Sequence, residues 1–314
     1  TGGGCPHILA EPMRTNLIPY SEDFTAGGWS SFSQGTTPTL TSGFTAPDGS
    51  SNAYKISNPN KDSLWGYDGV ANTNYARTIY ARTVSGTGTI SLLSKNGNAD
   101  NVFTLTESWQ RFEVNTAALV PTIFYAVDFR VSGNLTELLI WGGQSEVGSY
   151  ATSYIPNFGT ALGVTRNQDI FTRDGIGSLI NSTEGVLFLE MAALDNDGTS
   201  RQLSLSDGSS SNNKLSIIYT STTNQIQAFI RASGSISFNE TFSLTNAATF
   251  NKIAIKWKLN DFALWVNGIE VSSDFTGAAP VGLNELSFDD ADGTSKFFGK
   301  VKQLQVYDTA LTDE

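Results

Sequence analysis

The sequence predicts an all-β protein of two consecutive antiparallel β-sandwich (jelly-roll) domains, and three observations carry that prediction. Apolar and polar residues alternate at period two along the whole chain, and no amphipathic helical pattern runs beyond two turns. Turn signals recur about every 8–12 residues, the spacing of a sandwich or barrel. Charged residues make up only 16% of a chain rich in Ser, Thr, Asn and Gly, a composition of short strands and polar turns rather than surface helices. At 314 residues the chain is long for one ordinary sandwich and suits two of about 150 each. Its 39% hydrophobic content is ample for two cores.

Taken in order, the first half offers strands at Ser51–Ser57, Ala76–Arg82, Thr89–Leu93, Phe103–Leu105, Gln110–Val114, Phe124–Val131 and Glu137–Trp141. Pro47-Asp48-Gly49 and Gly86-Thr87-Gly88 supply turn chemistry between them. From Gly142 to Gly163 the chain is Gly-, Ser-, Thr- and Pro-rich, so the divide is expected near residue 160, with a lead-in at 1–15 and domains at 16–160 and 161–314. The second half offers strands at Val186–Leu194, Gln202–Ser206, Leu215–Tyr219, Ile226–Arg231, Thr249–Lys258, Glu285–Phe288 and Val301–Tyr307. In Thr249–Lys258 the residues Ile253, Ile255 and Trp257 point one way and the lysines the other. Phe262–Val266 and Ile269–Val271 flank Asn267-Gly268, the strongest short hairpin signal, because a type I′ turn needs positive φ at both central positions. Trp257 and Trp265 are both expected in the core. Thr309–Glu314, with Thr312 as cap, looks like the start of a helix.

Charge and cysteine content narrow the function. A net charge of −11 disfavours nucleic acid and anionic lipid as partners, and no stretch approaches the roughly 20 apolar residues of a membrane span. The chain begins at Thr1, which predicts either a removed leader or a piece of something longer. Cys5 is the sole cysteine, so no intrachain disulfide forms, which suits folding in a reducing cytosol, as for a virion component released by lysis, or a bacterial surface protein that never needed disulfides. His7 is the sole histidine, and a Cys5/His7 nucleophile pair in a lead-in lacks the buried, oriented setting that lowers a thiol pKa. Zinc needs three or four nitrogen or sulfur ligands, more than these two residues provide. No enzyme is expected.

Two groups of motifs go beyond this texture. Asn16–Phe24 with Trp29, Pro47–Ile56, Trp109–Phe112, Trp141–Glu146, Ser149–Pro156 and Val164–Arg166, preceded by Gly4–Pro12, resemble carbohydrate-binding jelly-roll modules of bacteriophage tail and other virion surface proteins. Glu184–Glu190, Phe250–Lys256, Leu264–Gly268, Phe298–Lys302 and Val306-Tyr307 resemble concanavalin A-like lectin/glucanase sandwiches in their laminin-G or pentraxin-like form. The resemblance implies a non-catalytic virion surface component, such as a tail or head fibre or receptor-binding protein, with cell-surface glycan and other virion subunits as partners. Two alternatives stay open. One is a purely structural decoration or assembly protein, and the other is the glycan-binding portion of a secreted bacterial hydrolase or cell-surface adhesin. A homo-oligomer is compatible with all three, and no heptad stretch encodes one. The glucanases of the second fold resemble one another in a Glu-x-Asp-x-Glu strand, whereas here Glu190 is followed by Met191, Ala192 and Ala193.

Candidate site residues follow from side-chain chemistry. Sugar rings stack on aromatic faces while polar side chains take their hydroxyls, which singles out Trp65, Tyr67 and Tyr75 in the first domain and Tyr219 with Arg231, beside Phe229, in the second. Calcium takes six to eight hard oxygens, which points to Glu22 and Asp23, to Asp195 and Asp197 in Asp195–Gly198, and to Asp290 and Asp292 in Asp290–Gly293. Calcium is the one cofactor the sequence suggests.

Overall fold

A computed structural model of the chain describes residues 6–32, 35–69, 75–94, 101–115, 123–209 and 211–311. Cys5, the side chain of Tyr75 and the expected helix cap Thr312 lie outside the described residues. The described chain is all-β, and its one helical element is the 3-10 turn Gly177–Leu179. It divides into two compact units, one holding Met13–Asn167 and the other the described parts of Thr1–Pro12 and Gln168–Glu314.

In the first unit two five-stranded antiparallel sheets face each other. One runs Gln110–Val114, Tyr75–Arg82, Glu137–Val147, Ala53–Ser57, Thr39–Phe44 from edge to edge. The other runs Trp29–Ser31, Leu64–Asp68, Ile123–Asp128, Gly88–Ser94, Val102–Leu105. Alternation decides what lies between them: Ile56, Ile79, Leu138 and Ile140 from the first sheet meet Ile90, Leu92, Phe124 and Val127 from the second, all almost fully buried. Asn16 explains why the opening motif sits where it does. Fully buried, it donates to the Ile155 and Gly143 carbonyls (2.8 and 3.3 Å) and accepts from the Ile18 and Ser145 amides (3.0 and 3.2 Å). That uses the whole donor and acceptor capacity of one amide to join the opening strand, the long Glu137–Val147 strand and the segment after it. Much of the segment Gly142–Gly163 is therefore packed, with Ile155 and Asn157 buried, while Phe158 and Leu162 are exposed.

The second unit holds two six-stranded antiparallel sheets. One runs Ile8–Ala10, Gly299–Tyr307, Glu184–Ala193, Asn251–Lys258, Phe262–Val266, Ile269–Asp274, and the other Thr172–Arg173, Glu285–Ser287, Arg201–Ser206, Lys214–Tyr219, Gln225–Ala232, Ser235–Ser243. Leu187, Leu189, Ile253, Ile255 and Trp257 of the first pack on Leu203, Leu205, Ile217, Ile226 and Ile230 of the second. Asn267 and Gly268 take φ of +51° and +86°, and the Asn267 side chain accepts from the Lys252 amide at 2.9 Å, so the turn is held by its own residue.

Two expectations are corrected here. Ile8–Ala10, placed in a lead-in, is an edge strand paired with Gly299–Val301, and Ala10 is buried in the second core. Trp265, expected in the core beside Trp257, lies on the opposite face of its strand because Leu264 and Val266 take the inward positions. The Lys256 ammonium lies over its ring at 5.4 Å.

Candidate functional site

Strand alternation builds the site in the first unit. Ile79 and Ala81 are fully buried in the core, which turns Tyr80 and Arg82 to the outward face of their sheet. In the edge strand Phe112 points inward and Arg111 outward, with Arg111 directly opposite Tyr80. Continuing that register by one residue brings Trp109 level with Arg82, and on the other side Trp141 lies opposite Tyr80. Rings and guanidiniums thus alternate in a tile. The Arg82 guanidinium lies 5.4 Å from the centroid of the Trp109 ring and that of Arg111 5.7 Å from that of Tyr80. All four side chains are half-buried.

Two loops wall the tile. The turn after Thr39–Phe44 folds over this face, so that Ala46 is buried with Trp141, and Trp109 Nε1 donates to the Thr45 carbonyl at 3.1 Å. Tyr154 lies 4.6 Å from Trp141 and 6.1 Å from Tyr80 between ring centroids, and Arg111 Nη1 donates to the Thr152 carbonyl at 2.7 Å. Trp141 is the floor of a small satellite core, separate from the main one, and Tyr80, Arg82, Trp109 and Arg111 form its open margin.

A polar network ties this floor to the opening loop. Asn52 accepts from Trp141 Nε1 at 2.9 Å and donates to Glu22 Oε2 at 2.6 Å. The Tyr154 hydroxyl donates to Glu22 Oε1 at 3.1 Å and shares a hydrogen bond with Ser21 Oγ. Burial pushes the Glu22 carboxyl above the usual carboxylate range, against the pull of those two hydrogen bonds, and burial likewise raises the Tyr154 phenol.

The residues singled out from sequence are distributed differently. Trp65 and Tyr67 belong to the main core, because the inward positions of Leu64–Asp68 fall on them. Trp65 Nε1 donates to the Phe24 carbonyl at 3.2 Å, and Tyr67 meets Trp29 edge-on at 5.4 Å. Neither ring presents an open face. Tyr75 falls outside the residues whose side chains are described. Tyr219 is likewise core, stacked on Phe297 at 6.2 Å with its hydroxyl donating to the Met191 carbonyl. Arg231 is outward-facing in the second unit, where it and Lys214 lie over the Phe229 ring at 5.3 and 5.4 Å.

The expected calcium ligands are engaged in other ways. Asp23 caps its own turn through Thr25 and accepts from the Tyr54 hydroxyl, while Glu22 serves the network just described. Asp195 accepts from the Asn196 amide, and Asp197 receives Arg201 Nη2 on both oxygens at 2.7 and 2.8 Å. Burial pushes the Asp197 carboxyl up, but the hydrogen bonds from Arg201 and Thr199 outweigh it and hold the group below the usual range. Asp290 pairs with the buried Lys214 ammonium, and Asp292 caps its turn through Thr294. Each second-unit acidic turn thus has a cation of the protein's own, and among the described residues no three His, Cys, Asp or Glu side chains gather. His7 packs edge-on against Phe250. Glu190 is held by Lys302 at 2.7 Å.

Side-chain chemistry alone does not single out the margin residues from the other aromatic and basic residues of the chain. The available signal was period two itself: in Ile79-Tyr80-Ala81-Arg82, once Ile79 and Ala81 are assigned inward, Tyr80 and Arg82 must face out, and beside them an inward Phe112 turns Arg111 out.

No protein-family model matches the sequence, and no curated protein matches it. Solved structures with similarity to part of the chain include the carbohydrate-binding module, CBM40, of Ruminococcus gnavus IT-sialidase bound to α2,3-sialyllactose. It is 13% identical with a TM-score of 0.38, over 46% of this chain and 94% of that one. Sheep galectin-11 in complex with glycerol is 7% identical with a TM-score of 0.31, over 44% and 97%. A heptameric SAP-like pentraxin from Limulus polyphemus is 13% identical with a TM-score of 0.32, over 42% and 67%. At these identities a shared ligand does not follow.

Proposed function

We propose that the chain is a non-catalytic glycan-binding protein that holds sugar on the outward face of its first sandwich. The observation that carries this is the tile of Tyr80, Arg82, Trp109 and Arg111 at the open margin of a walled aromatic floor. Aromatic faces accept the apolar C–H surface of a sugar ring, and guanidiniums donate in a fixed plane to its oxygens. A binding role rather than a catalytic one is supported by the carboxylate nearest to a glucanase position, Glu190, which is spent on Lys302. The setting we propose is a virion surface, as part of a tail or head fibre that meets glycan on the host cell. That setting rests on the sequence resemblance of residues 1 to about 170. The binding portion of a secreted bacterial hydrolase or adhesin would use the same face.

The test is a glycan array probed with the full chain, with Trp109→Ala and Tyr80→Ala beside it. Wild type is expected to bind a restricted set of glycans and each variant to weaken that signal about tenfold or more, a loss of ~1.4 kcal/mol or more. Silence of the wild type, or variants that bind as well as it does, would sink the assignment to this face. Immunogold labelling of purified particles tests the setting, and a chain absent from every particle would contradict it.

A further inference from the structure

We infer that the glycan bound by this face is acidic, with a carboxylate taken by Arg82 and Arg111; the inference rests on the glycan-binding reading above. Acidic residues outnumber basic ones by 30 to 19 in this chain, so a cation without a carboxylate needs an explanation. In the second unit Arg201, Lys214, Lys256 and Lys302 each hold one. Among the described residues, Arg82 and Arg111 have no such partner. Arg82 Nη1 makes only two long contacts, at 3.4 Å, with the carbonyls of Thr83 and Glu107. Arg111 donates to the Thr152 carbonyl and, at 3.0 Å, to Thr78 Oγ1. All of these acceptors are neutral, so both guanidiniums keep their full charge on one sheet face.

The two groups are also pre-positioned. Each lies over an aromatic ring, Arg82 over Trp109 and Arg111 over Tyr80, which fixes the plane of its donors before any ligand arrives. A guanidinium carries five N–H donors in a planar fork that matches a carboxylate, and most of those on Arg82 are unspent. A neutral sugar would use the rings and leave two like charges uncompensated beside it. A uronic or sialic acid would use both.

The experiment is calorimetric titration of the full chain with sialyllactose and with oligosaccharides of hyaluronan and polygalacturonate, each beside its carboxyl-reduced counterpart. At least one acidic ligand is expected to bind about tenfold or more tightly than its reduced form, and to weaken as salt is raised. Arg82→Gln and Arg111→Gln should each bring the acidic ligand down to the affinity of the reduced one. Arg82→Lys, which disturbs the fold least, should recover part of the loss, and Arg173→Gln in the second unit serves as control. If acidic and reduced forms bind alike, or the Arg variants bind the acid as wild type does, the inference is overturned while glycan binding stands. If no glycan binds here or on the array, both fail together.

Discussion

Glu22 carries its charge where burial opposes it, with two hydrogen bonds and, among the described residues, no cation to compensate. Its folded pKa is raised above the unfolded value of 4.5, so the folded state holds the proton more tightly. Stability attributable to Glu22 therefore rises as pH falls through the raised value and is fully gained below 4.5. Urea midpoints measured across this range should show the wild type gaining on Glu22→Gln as the solution is acidified. Parallel profiles would show that Glu22 titrates normally. The same residue marks a limit of sequence reading: an acidic side chain in an opening loop has the chemistry of a calcium ligand. Only the fold shows that Asn52 and Tyr154, 30 and 132 positions away, have claimed its oxygens. Trp65 and Tyr67 make the converse point. Their segment has too short an alternation to reveal which face is inward, so burial had to come from the partner sheet.

At the scale of elements, what was legible in the sequence was what is local. The Asn267-Gly268 hairpin and the strand containing Ile253, Ile255 and Trp257 appear where period two and turn chemistry put them, whereas the strand expected at Glu137–Trp141 runs on to Val147. The loops were harder, since Asp-rich turns that bind calcium and Asp-rich turns that hold an internal cation share one sequence signal. In Asp195–Gly198 the fold supplies Arg201, whose side chain is 3% exposed, and in the 289–296 loop it supplies Lys214. Asp197→Asn leaves that buried guanidinium without its charge-assisted pair and should cost about 2–3 kcal/mol, read as a shift of the denaturant midpoint. Millimolar calcium should leave the melting temperature of wild type unchanged. A calcium-dependent rise, abolished in Asp197→Asn, would return the ion to this turn.

At the scale of the whole molecule, two sandwiches were readable because each core repeats the same alternation many times. The edge strand Ile8–Ala10 was not, because its pairing partner lies some 290 residues downstream and three residues carry no periodic signal. Deleting residues 6–12 should destabilise the second unit by about 2–3 kcal/mol, from lost ladder hydrogen bonds and the exposed site of Ala10, and leave the first unaltered. Calorimetry with two resolved transitions would register this as a fall in one of them, and a fall in both would contradict the division into units. The central claim is where sugar binds, and the six tryptophans allow a direct test. In the full chain labelled at indole nitrogen, each tryptophan gives its own resonance, and Trp109 is half-buried at the margin while Trp29, Trp65, Trp141 and Trp257 are buried. Titration with the best array ligand should move the Trp109 indole signal first and furthest. A ligand that binds without moving it, or that moves Trp265 in the second unit instead, would contradict the account.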